Sequence, residues 1–186
     1  MKNLTINEMA SGSYMERTQF NANKSDLTVA CAIDFTTNGE RFTKKVAGEY
    51  YLALPLSQQA LTSARQLYKA LEKKESRILN LAGNSLYTLS TKHITQRRVN
   101  LWVHDVLSLV HMHLPIKELK SGGQTGVDIA AAVVGPLLNI PTEINFPKGY
   151  KQRLASGLDV LQTLDNVMLS VEEMQLELLA DLKASA

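Results

Sequence analysis

The sequence predicts a three-layer α/β domain, with a mainly parallel sheet and helices on both faces. Three observations carry this. Short apolar runs of strand length alternate with longer stretches at helical spacing. Two of those runs end in glycine loops, Gly83-Asn84-Ser85 and Ser121-Gly122-Gly123-Gln124-Thr125-Gly126-Val127-Asp128. The chain has 186 residues, enough for one domain with a sizeable core, and shows no internal repeat or low-complexity linker.

Met1 to Ser25 is rich in Asn, Ser, Thr and Met and has weak periodicity. It reads as an N-terminal arm, residues 1–25, able to order against a partner subunit. One domain then spans residues 26–186. Leu27 to Phe35 is apolar and partly β-branched, hence a strand. Asn38-Gly39 is a turn signal, so Arg41 to Val46 is expected to pair back as a hairpin, with Lys44-Lys45 at a solvated edge. Tyr50 to Leu54 is a further strand that Pro55 ends, and Ser57 is a fair N-cap. Leu61, Ala64, Leu67, Tyr68 and Leu71 then recur at helical spacing up to Lys73-Lys74. With the strand Arg77 to Ala82 this makes a β-α-β unit, whose crossover should be right-handed.

A helix from Ile94 or Thr95 to His113 carries Val99, Trp102, Val103, Val106, Leu107 and Val110 on one face. Ile116 to Lys120 is strand-like, and a small-residue helix follows the second glycine loop. Thr142 to Phe146 is the next strand, and Pro147 to Arg153 leaves its end. Leu161 to Leu182 has helical spacing, with more apolar residues than a solvated helix needs.

A net charge of +2 with scattered basic residues argues against nucleic acid as a partner. Cys31 is the sole cysteine, which rules out an intramolecular disulfide framework and a cysteine-based zinc site; its apolar surroundings make it a core residue. The N-terminal stretch lacks the apolar core of a signal peptide, and no run is long enough for a membrane span, so a cytoplasmic location is expected. His104, His111 and His113 lack a metal motif's spacing, so neither a metal nor a cofactor is expected.

The two glycine loops suggest a ligand site. Gly122 and Gly123 permit a tight turn and close approach to the backbone, and a helix start favours an anion. If the two strands are neighbours, both loops open at the carboxyl edge of the sheet, where ligands bind in open α/β folds. Thr125 is either an N-cap or a phosphate contact, and Asn84 and Ser85 are either turn residues or ligand contacts. Tyr87 could stack on a base. Lys148, Lys151 and Arg153 bring positive charge to the same edge.

SGGQTGVD, the apolar helix beginning Ala130-Ala131, and Ile140-Pro141 followed by Pro147-Lys148-Gly149 resemble the molybdenum-carrier family of the SLOG superfamily, a group of Rossmann-like folds. The resemblance spans roughly Ser76 to Arg153. It implies that Gly122, Gly123, Gln124, Thr125 and Gly126 form the ligand loop, with Asp128 and Lys148 near the same ligand. Family members often carry an arginine after the motif's aspartate. Here Ile129 stands in that place, which argues against molybdate as the ligand.

The expected site thus comprises Gly83, Asn84, Ser85, Ser121, Gly122, Gly123, Gln124, Thr125, Gly126, Asp128, Lys148 and Arg153. The expected function is binding of a nucleotide or nucleotide-derived signalling molecule, as a sensor or sponge, with Asp128 holding ribose. The alternative is an N-glycosidic or phosphoribosyl hydrolase in which Asp128 stabilises oxocarbenium-like charge or activates water. The apolar tail and the N-terminal arm point to a homo-oligomer.

Overall fold

The main sheet draws on the strands β1 (Leu4–Glu8), β2 (Leu27–Ala32), β3 (Tyr51–Pro55), β4 (Ile78–Gly83), β5 (Glu118–Ser121) and β6 (Thr142–Phe146). In the computed structural model, which describes residues 2–184, they form one sheet in the order β1-β6-β5-β4-β2-β3, parallel at every pairing. The principal helices are α1 (Tyr14–Asn23), α2 (Asn38–Ala47), α3 (Ala60–Lys74), α4 (Leu86–Ser90), α5 (Gln96–His113), α6 (Val127–Leu137) and α7 (Leu164–Ala184). α1 packs on α2, while α3, α5 and α6 form a second row with α7 against α5 and α6. This is the three-layer Rossmann-like arrangement. All six residues of β2 are buried, as expected of a parallel strand covered on both faces.

α6 is buried from Val127 through Gly135. Its alanines, and Gly135 above Thr142, let the backbone settle close to β5 and β6; a Cβ on Gly135 would overlap the Thr142 hydroxyl. The core runs through Leu79, Leu119, Ile144 and Phe146 of the sheet and Val103, Leu107 and Val133 of the helices. Among the described residues, no helix is long and apolar enough to cross a membrane.

Three local expectations are corrected. The segment read as an N-terminal arm carries regular structure of the domain: β1 pairs with β6, and α1 follows with Ser13 as N-cap, its hydroxyl accepting the Glu16 amide. The expected hairpin at Arg41 to Val46 is the helix α2, capped by Thr37, which accepts the Glu40 amide at 3.2 Å. Both segments carry the S/T-x-x-E signature of a helix start. Their buried faces are mostly polar (Arg17 and Asn21 in α1, Glu40 and Thr43 beside Ala47 in α2), so no apolar period announced them. Third, Gln59 rather than Ser57 precedes α3. A short antiparallel hairpin of β7 (Gln152–Arg153) and β8 (Asp159–Val160) completes the chain before α7.

Candidate functional site at the carboxyl edge of the sheet

The chain leaves β2 toward β3 on one side and leaves β4 toward β5 on the other. The carboxyl ends of β2 and β4 therefore diverge, which is the switch point where open α/β sheets place ligands. β4 and β5 are neighbours, so the two glycine loops do open side by side. Asn84 joins them. Its Oδ1 accepts the Ile33 and Asp34 amides at 2.9 and 3.0 Å, and its Nδ2 donates to Asp34 O and Glu40 Oε1 at 3.1 and 3.3 Å. Its carbonyl accepts the Val127 amide. Gly83 is fixed by packing, since a Cβ there would run into the Cys31 carbonyl and Val127.

The SGGQTGVD loop is buried from Ser121 through Gln124 and is largely self-satisfied. Gly123 stands at φ 69°, where a side chain is strained, and its α-carbon faces the Phe146 ring. The Thr125 amide donates to Gln124 Oε1, the Gly126 amide to Gln96 Oε1, and the Ile129 amide to Gln124 O. The Gln124 amide is taken by Asp128. The loop therefore does not present a full row of free amides to a phosphate. Thr125 does not cap α6; its hydroxyl donates to Arg153 O. Gln152 Nε2 donates to Gly123 O, and the Arg153 amide donates to Gln124 Oε1 at 2.6 Å, so β7 straps the loop from outside. A cavity of about 200 Å³ lies beside Thr125 and Gln96, walled by Ile129, Val167 and Met174.

Beneath the strap runs a buried polar chain. Arg17 Nη1 lies 2.9 Å from Asp128 Oδ2 and donates to Gly122 O at 2.8 Å. Its guanidinium fills the space that a Cβ on Gly122 would need. Asp128 is 5% exposed and faces inward, so it is not placed as an open ribose reader. Burial raises its carboxyl, against the pull of Arg17 and of the amides of Gly83 and Gln124. Glu40, 3% exposed, lies close enough to feel the Asp128 charge. Desolvation first, and then Asp128, push it up to about 8. Glu40 Oε2 and Arg17 Nε are buried with no hydrogen-bond partner. The Tyr14 hydroxyl is buried beside Gln124 and Asp159 but within no well-formed hydrogen bond.

The outer rim is cationic and aromatic. Lys151 Nζ stands 4.5 Å from the Tyr14 ring centroid, and the Arg153 and Arg17 guanidinium carbons stand 5.6 and 5.7 Å from it. Arg153 also pairs with Asp159 at 2.8 Å. Tyr87 is half exposed, and its ring lies over Gly157. Lys148 is exposed, with its amide bound to Ser11 O. Ser85 precedes α4 and is partly exposed beside Gly126.

The structure brings the two glycine loops, Asp128 and Arg153 together and buries most of the loop, while Lys148 makes its contact with Ser11 instead. It adds Tyr14, Arg17 and Glu40, which lie in the segments read as arm and hairpin. His104 pairs with Asp105, and His111 Nδ1 accepts the Ile116 amide at 3.0 Å just beyond the end of α5. Among the described residues, no group of three His, Cys, Asp or Glu could hold a metal ion.

Fold and site together define a doubly wound α/β domain with a polar centre at its topological switch point. The chain belongs to the circularly permutated YpsA SLOG family, whose match covers residues 2–105. SLOG membership, expected from SGGQTGVD, therefore stands, although that motif lies beyond the matched stretch. The match takes in β1, α1 and α2, which the earlier resemblance left out. β1 occupies the sheet edge where a strand following β6 would fall, in keeping with a permuted chain. No curated protein and no solved structure matches this chain. SLOG membership is consistent with binding or processing a nucleotide-related ligand.

Proposed function

We propose that this protein binds a nucleotide or nucleotide-derived small molecule at the carboxyl edge of its sheet and acts as a sensor or sponge for it. The observation that carries the reading is the pair of buried polar atoms without partners, Arg17 Nε and Glu40 Oε2, beside the glycine loop at the switch point. Native proteins leave few such atoms, and a ligand is a physical reason for them. Arg17, Lys151 and Arg153 supply charge for phosphate, and Tyr14 and Tyr87 supply faces for a base. Because the loop's own amides are largely engaged, side chains carry the phosphate in this reading.

Calorimetric titration with AMP, NAD and ADP-ribose tests it. At least one should bind, and Lys151→Ala with Arg153→Ala should weaken it about tenfold or more, the effect of losing charge-assisted hydrogen bonds. Failure of all three probes to bind would overturn the reading.

Glu40 favours a second reading, N-glycosidic or phosphoribosyl hydrolysis. A buried acid titrating near 8 is a competent proton donor at neutral pH. Asp128, tied to Arg17, is poorly placed for the role expected of it. Release of free base or ribose phosphate on long incubation, lost in Glu40→Gln, would favour this reading; recovery of intact ligand favours the binder. We further propose a cytoplasmic homo-oligomer. α7 leaves Leu169 and Leu176, seven residues apart, 56% and 68% exposed on one stripe.

A further inference from the structure

Glu40 sits in the first turn of α2 with its side chain turned inward. One oxygen accepts a hydrogen bond from Asn84 Nδ2, and the other meets nothing. Among the described residues, the groups that act on it include no cation. From α6 comes Asp128, already paired with Arg17 of α1 at 2.9 Å. From β2 and its following loop come the Cys31 thiol and Asp34, and from β3 comes the Tyr51 phenol. Arg17 thus compensates Asp128, and no cation is paired with Glu40 among the described residues. A second ionised carboxylate here would be uncompensated, so Glu40 holds its proton instead.

A protonated carboxyl is a hydrogen-bond donor. Arg17 Nε–H is also a donor without an acceptor. Two unmatched donors in one polar chain call for a group rich in lone pairs and bearing no proton of its own. We infer that Glu40 determines specificity at this site by meeting the ligand as a neutral carboxylic acid, which donates to an unprotonated phosphoryl oxygen. This rests on the nucleotide-binding reading above and adds the part of the ligand that Glu40 selects. Once Glu40 ionises, a donor becomes a charge that repels the phosphoryl group.

The test is ADP-ribose binding, by calorimetry, to wild type, Glu40→Gln and Glu40→Ala from about pH 6 to about pH 9.5. ADP-ribose is chosen because its pyrophosphate does not titrate in that range. Wild-type affinity should hold to about pH 8 and then fall, approaching tenfold per pH unit. Glu40→Gln keeps a donor and cannot ionise, so its profile should stay flat across the range. Glu40→Ala should bind about tenfold more weakly at neutral pH, the cost of one lost hydrogen bond to an anion. Circular dichroism establishes that each variant is folded. If a variant does not fold, the wild-type profile still decides, and a flat profile overturns the inference. Wild type and Glu40→Gln falling together above pH 8 also overturns it, while binding itself leaves the nucleotide reading standing. No binding of ADP-ribose, AMP or NAD removes both.

Discussion

Replacing Glu40 by glutamine should stabilise the ligand-free protein, by an amount that depends on pH in a fixed way. The unfolded chain releases this proton near 4.5 and the folded chain near 8. Below about pH 4.5 both states hold the proton, and ionisation makes no difference between wild type and variant. Between the two values only the unfolded chain ionises, so wild type loses about 1.4 kcal/mol of stability per pH unit relative to the variant. At pH 7 the deficit reaches about 3 kcal/mol, and above pH 8 it levels near 5 kcal/mol. Domains of this kind carry roughly 5–15 kcal/mol in total, so the effect is large. Urea denaturation of both proteins at about pH 4.5, 6, 7 and 8.5 measures it as a diverging midpoint at constant slope. A stability difference that does not change with pH would refute the reasoning, because Glu40 would then ionise in the fold as it does in the open chain. A stabilising substitution at a buried polar position is what a site held for a ligand should yield.

Gly123→Ala should cost about 2–4 kcal/mol and lower the melting temperature, since the residue stands at φ 69° against the Phe146 ring. A folded Gly123→Val variant that merely blocks the ligand is therefore not expected, and an undiminished melting temperature in Gly123→Ala would contradict the packing. Arg17→Met should cost about 3–5 kcal/mol by leaving Asp128 buried and unpaired, and adding Asp128→Asn should recover part of it; additive losses on denaturation would argue against the pairing. Leu169→Lys with Leu176→Lys should shift the protein to monomer in light scattering without unfolding it. These exposed positions are a cleaner probe than truncation before α7, whose Val167, Val171 and Leu178 belong to the core. A wild-type protein that is already monomeric would end the oligomer proposal.

The apolar half of the molecule was legible in the sequence. β2, β4, β5 and β6, together with α5, α6 and α7, bury aliphatic side chains at strand or helix spacing, and hydrophobic burial imposes those periods on the sequence. The glycine loops were legible for a different reason. Gly122 and Gly123 stand where the Arg17 guanidinium and the Phe146 ring leave no room for a Cβ. Only tertiary structure revealed α1 and α2 and the site they complete. Their inward faces carry Arg17, Asn21, Glu40 and Thr43, which show no apolar period because their partners are polar groups far away in the chain. Asp128 looked like an open carboxylate in a loop motif, and the fold turned it inward onto an arginine more than a hundred residues away. Glu40 follows the Asn38-Gly39 turn signal and drew no functional reading from the sequence, and the fold made it a buried acid. Sequence determines which residues leave water, because that preference is local. Which polar groups they then meet, and so which charges survive, is decided only when distant segments close over one another.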